Sequence, residues 1–174
     1  MIGLKLVGIS LIISGFGGWG LAGARRMDRR VGELRDLRIA LGFLEKEITT
    51  MYTPLSLALQ RTQEFSDLPV AHLFRDSASA LEMKQGATIR EAWRQGIASM
   101  LSHSALLPGD IKVLENAAGQ LGMSNASEQS KMFALIQEEL KLQEEKARDQ
   151  VKSSRQLWSY GGFIMGAVVV ILLL

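Results

Sequence analysis

The stretch Ser124–Leu174, SNASEQSKMFALIQEELKLQEEKARDQVKSSRQLWSYGGFIMGAVVVILLL, decides the fold. It contains no proline. It opens on the cap-like pair Ser124-Asn125, with Glu128 three residues further on, crosses a highly charged segment and ends in the uncharged run Gln156–Leu174. Its glycines, Gly161, Gly162 and Gly166, all fall in the apolar part, where membrane helices tolerate them better than soluble ones do. The pattern reads as one helix that begins in water and ends in lipid. Running from Ser127, such a rod would be about 72 Å long at about 1.5 Å per residue. A compact domain of this size does not need it, so the remainder is expected to supply a second membrane anchor and a helical domain packed beside the rod.

The other end of the chain fits that expectation. Leu6–Ala24 carries no charge and is long enough to cross a hydrocarbon core of about 30 Å. A secretory signal peptide is the competing reading, with Lys5 as its charged start and Leu21-Ala22-Gly23-Ala24 as a small-residue cleavage site. Arg25 and Arg26 directly after that site resist transfer across a membrane and favour an uncleaved anchor. Cleavage would instead give an exported helical domain held by its C-terminal span. Bases flank both apolar runs on the inner side: Arg25, Arg26, Arg29, Arg30, Arg35 and Arg38 after the first, Lys146, Arg148, Lys152 and Arg155 before the second. The positive-inside rule then puts the central domain in the cytoplasm, with Trp158 and Tyr160 at the interface. Small residues recur at Ser14, Gly18 and Ala22, and Gly162 and Gly166 form a GxxxG, so both spans offer faces on which helices can pair in lipid. Gly15, Gly17 and Gly20 match a dinucleotide fingerprint, but no strand precedes them and no βαβ unit surrounds them.

Charge is partitioned sharply. Of 20 Lys and Arg only Lys5 lies outside residues 25–156, and all 18 Asp and Glu lie inside that window. The central region is therefore nearly neutral and lacks the clustered basic excess that nucleic acid requires. The absence of cysteine excludes disulfides, thiolate zinc sites and a cysteine nucleophile.

Between the apolar ends the periodicity is helical throughout. Met27, Leu34, Leu37, Leu41, Leu44, Ile48 and Met51 form one stripe, broken at Thr53-Pro54, where Thr53 is placed to cap a short second helix. Ser66-Asp67-Leu68-Pro69 repeats the punctuation before a third helix bearing Val70, Leu73, Phe74, Ser77 and Leu81. Thr88 and Glu91 have the spacing of a capping box ahead of Ile89, Ala92, Trp93, Ile97, Met100 and Leu101. Pro108-Gly109-Asp110 starts a fifth helix with Ile111, Leu114, Ala118 and Leu121, closed at Gly122. The expected fold class is all-α: about five helices in a bundle, a long C-terminal helix continuing into the membrane, and transmembrane helices at both ends. The corresponding division is an anchor at 1–24, a helical domain at 25–156 and a span at 157–174.

No constellation supports catalysis. His72 and His103 lack the spacing of a metal pair, and no zinc-protease, nucleophile-elbow or Walker motif occurs. No cofactor, metal or small-molecule substrate is expected, and an enzyme acting at the membrane surface would need an acid, base or nucleophile arrangement that is not visible. The charged rod Gln137–Arg155 reads first as a solvated helix face. Its apolar positions thin out after Leu142, too sparse for burial alone to hold the helix, so Glu138, Lys141, Glu145 and Arg148 are candidates for docking a partner.

The order of features resembles a known family. The anchor ending in Arg25-Arg26, the run Arg38-Ile39-Ala40-Leu41-Gly42-Phe43-Leu44-Glu45-Lys46-Glu47-Ile48, then Tyr52-Thr53-Pro54-Leu55, Leu121-Gly122-Met123-Ser124-Asn125 with Gln129 and Lys131, and Gly161-Gly162 are similar to the stage III sporulation protein AB family. Asn125 stands where the family often has Asp, an equivalent helix cap. The resemblance implies a non-enzymatic subunit of the channel complex built between mother cell and forespore, seated in the mother-cell membrane around the forespore. It also implies likeness to the helical domains of the type II secretion inner-membrane platform protein. Implied partners are the other channel subunits, among them a secretion-type ATPase, and the lipid bilayer.

Overall fold

In a computed structural model the chain forms six helices: α1 Ile2–Thr49, α2 Leu55–Glu64, α3 Val70–Glu82, α4 Ile89–Leu101, α5 Pro108–Ala118 and α6 Ala126–Leu173. The structure describes the backbone of all residues except 1, 84–87, 119–125 and 174, and side chains except for those residues and 2–22, 24, 126 and 154–173. No strand occurs among the described residues.

Two long helices form the frame. α6 is the expected rod of 48 residues, and α1 is its equal at 48 residues, continuous through the boundary expected near residue 24. They run antiparallel: Ser130 donates to Glu45, the Gln137 amide to the carbonyl of Arg38, and Arg30 to Gln150, so numbers fall along one helix as they rise along the other. Leu34, Leu37, Leu41 and Leu44 of α1 are buried together with Phe133, Ile136 and Leu140 of α6 in one core cluster. The buried stripe of α6 reads Gln129, Phe133, Ile136, Leu140, Glu144 and Ala147, steps of three and four. The stripe therefore does not thin out after Leu142. It continues through Glu144, a polar residue in a seam position, while Leu142 faces solvent.

The shorter helices pack on this frame as a second hairpin and a strut. α3 and α4 cross very closely: a Cβ added at Gly96 would lie 2.2 Å from Ser77 Oγ and 2.3 Å from the Leu73 carbonyl oxygen. Phe74 and Trp93 meet edge to face at 6.1 Å, and the Trp93 indole donates to the Leu114 carbonyl at 2.8 Å, tying α4 to α5. The Thr88–Glu91 capping box is present in full at the start of α4. Thr53 does not cap α2. Its hydroxyl donates to Glu47 on α1, and Pro54 occupies the cap position without a side-chain bond. The stripe of α1 is also shorter than expected, with Met27 and Met51 exposed at its ends. Leu121, Gly122, Ser124 and Asn125 lie outside the described residues.

The expected membrane spans are also overturned. Among the described residues no helix is long and apolar enough to cross a membrane, which corrects the transmembrane helices at both ends and the multi-pass location in the mother-cell membrane inferred from them. Over residues 25–49 of α1 and 127–153 of α6, where the side chains are described, charged residues recur along the whole length. Several of the bases counted as topology signals are committed within the fold instead: Arg30 and Arg38 bind Asp110 and Glu144, and Arg29 binds the His103 carbonyl. An arginine placed to close a helix contact says nothing about a membrane.

Candidate interaction surface

Buried charge on α1 and α6 ties the helices to each other and to their neighbours, and each group has a partner that explains its position. Arg30 on α1 donates to both oxygens of Asp110 on α5, at 2.8 and 2.9 Å, and to Gln150 on α6 at 3.0 Å. Asp110 also accepts the amide of Leu107 at 2.8 Å, closing the first turn of α5. Arg30 thus joins three helices through a fork suited to a carboxylate. Glu33 caps the α4–α5 connection by accepting from Ser104 Oγ and the Ala105 amide. Glu47 accepts from Arg61 and Thr53 at the far end of α1.

Midway along the seam Glu144 is held by Arg38 across the helix pair and by Arg148 one turn along α6. Burial pushes the Glu144 carboxyl upward, but the hydrogen bonds from Arg38 and Arg148 outweigh it and leave the group below the usual carboxylate range. This trio opens into a groove of about 520 Å³ lined by Arg35, Arg38, Ile39, Gln137, Glu144 and Arg148. Ile39 keeps 58% of its surface exposed at the edge. Three guanidinium groups against one carboxylate make the groove basic, with an apolar contact point beside it.

The four charged residues singled out from the sequence share the stripe of α6 next to this groove. Arg148 belongs to it directly. Lys141 and Glu138 pair with each other at 3.7 Å on the solvent side, and Glu145 is exposed. The side chains of Ser14, Gly18, Ala22, Gly162 and Gly166 lie outside the described residues. The sequence reading did not find Arg35 and Ile39, because on α1 they belong to the face opposite the apolar stripe. It also treated His72 and His103 as unrelated, whereas the fold brings their rings to 5.5 Å. Among the described residues no group of three or more His, Cys, Asp or Glu could hold a metal ion.

The arrangement defines an all-helical structural protein whose buried polar groups tie its helices together. A family model for stage III sporulation protein AB matches residues 5–174, so the chain belongs to that family and is a non-enzymatic, sporulation-associated structural protein. It is similar to stage III sporulation protein AB of Bacillus subtilis (strain 168), 29% identical over 172 residues that cover 98% of this chain and 99% of that protein. A solved structure of a stage III sporulation protein AB superposes with a TM-score of 0.67 at 27% identity, covering 71% of this chain and 97% of the other.

Proposed function

We propose that residues 25–156 act as one docking unit of the sporulation channel complex, and that the basic groove between α1 and α6 is where a partner subunit binds. The observation that carries this reading is the groove itself: Arg35, Arg38 and Arg148 around Glu144, with Ile39 exposed at its edge. Arginine is among the side chains that binding hot spots favour, and Ile39 adds an exposed apolar contact beside the half-buried Arg38. Glu138, Lys141 and Glu145 extend the surface along α6 and would set its charge pattern. The family supports the channel setting, and a secretion-type ATPase is the partner to test first, because an acidic face on it would match this groove.

The test is site-specific photo-crosslinking in sporulating cells from positions Ile39, Lys141 and Glu145, compared with Glu115 on α5, an exposed position away from the groove. The reading predicts adducts to a channel subunit from the first three positions only. Equal adducts from Glu115, or adducts from none of the three, would refute it.

A further inference from the structure

A second groove lies away from the α1–α6 face, between α1, the start of α3 and the α4–α5 connection. It has a volume of about 340 Å³ and is lined by Arg29, Leu68, Pro69, His72 and His103. The two imidazole rings sit 5.5 Å apart and are tilted by 34°. Arg75 Nη2 approaches His72 Nδ1 at 2.7 Å. A guanidinium donates and never accepts, so Nδ1 is the acceptor and the ring hydrogen of neutral His72 resides on Nε2. With Nδ1 engaged and Nε2 protonated, His72 has no lone pair left for a metal ion, and two guanidinium groups close by oppose a cation further.

The same features suit an anion. Arg29 Nη2 donates to the His103 carbonyl at 3.0 Å, which holds the guanidinium beside the second imidazole, and a guanidinium has five N–H donors. Two of the acids nearby are already engaged, Glu33 by Ser104, Ala105 and Arg29, and Asp76 by Arg75. Leu68, 72% exposed, and Pro69 give the groove an apolar wall. Donors come from three separate segments, α1, α3 and the α4–α5 connection, and such a spread matches a tetrahedral oxyanion better than a planar carboxylate.

We propose that this groove binds a phosphate monoester carried on an apolar or aromatic group. Arg29, His72 and His103 hold the phosphate oxygens, and the apolar body lies against Leu68 and Pro69. Calorimetric titration of the full chain with phenyl phosphate, inorganic phosphate and benzoate tests it. The expected result is saturable one-site binding, tightest for phenyl phosphate. Arg29→Gln and His72→Gln should each weaken it by about tenfold or more, the loss of a hydrogen bond to a charged group. Leu68→Ser, at a site 72% exposed and outside the core, should remove the advantage of phenyl phosphate over inorganic phosphate. Absence of saturable phenyl phosphate binding, benzoate binding as tight, or unchanged affinity in folded Arg29→Gln and His72→Gln variants would overturn the assignment. So would an undiminished preference for phenyl phosphate in Leu68→Ser.

Discussion

The α1–α6 seam and the α3–α4 crossing solve the same problem, holding two helices together, by opposite means. The seam places Arg30, Gln129 and Glu144 among its leucines, all buried, with Arg30 and Glu144 hydrogen-bonded across it, while the buried Glu33 and Glu47 of α1 bind the neighbouring α4–α5 connection and α2. The crossing is tight and free of charge, built on Gly96, Ser77, Phe74 and Trp93. Long helices with a repeating apolar stripe can slide past one another by a heptad at little loss of apolar contact. Sliding here would separate Arg30 from Gln150 and Glu144 from Arg38, so these polar positions fix register even though a buried ion pair adds little net stability. The short α3–α4 pair has no such ambiguity, and close contact supplies its stability directly.

That contrast is easiest to break at Asp110. Asp110→Ala strands the Arg30 guanidinium in the interior, and urea unfolding should show a loss of about 3–5 kcal/mol. The double replacement Arg30→Met with Asp110→Leu should recover most of it, since removing both charges avoids the desolvation cost. A small effect of Asp110→Ala alone would show that Arg30 reaches water and that the seam is not fixed by this clasp. Next in size is Glu145→Pro, at an exposed position of α6, so that only backbone continuity is lost. It should cost about 3 kcal/mol and abolish crosslinking from Lys141 if the groove needs an unbroken rod. Gly96→Ala tests the other region: the added methyl meets backbone at Leu73, and the crossing should open at a cost of about 1–3 kcal/mol in thermal unfolding. Normal stability there would mean that α3 and α4 can separate without strain.

Legibility of the sequence follows the same division. Where burial is apolar, periodicity read it correctly: Leu34, Leu37, Leu41 and Leu44, Val70, Leu73 and Phe74, and Ala92, Trp93, Ile97 and Met100 all lie in the core. Local chemistry was also legible at Thr88 and Glu91, because both halves of a capping box sit within one turn. The polar half of the core was not. Arg30 and Arg38 were read as flanking bases, Asp110 as a helix start and Glu144 as solvated surface. Their partners lie far away in sequence, and a charged residue in a seam position looks the same as one on a wet face. The groove was half visible for that reason: Arg148 lay on a recognisable charged stripe, while Arg35 and Ile39 gain meaning only once α6 is laid against α1.

The smallest predicted effects separate the seam carboxylate from a partly buried outer one by the sign of their pH dependence. Glu144 has a folded value held below its ordinary 4.5, so it contributes stability that is fully present above about that pH and is lost as pH falls through the depressed folded value. Asp36, partly buried on the outer side of α1 with Asp67 close by, is displaced the other way. Desolvation and then repulsion from Asp67 raise it above 3.8, against the pull of Arg35. Its ionisation therefore costs stability, beginning as pH rises above 3.8 and complete once pH has passed the raised folded value. Asp36→Asn should stabilise the protein at pH 7 by up to about 0.5 kcal/mol, the scale of exposed charge interactions, and the gain should vanish below pH 3.8. Glu144→Gln should do the reverse, lowering stability at pH 7 and flattening the loss on acidification. Denaturant unfolding at stepped pH distinguishes the two. Parallel curves for both variants would mean that neither carboxylate feels the surroundings described for it, whereas opposite slopes would show that the seam uses charge for attachment and the outer face merely tolerates it.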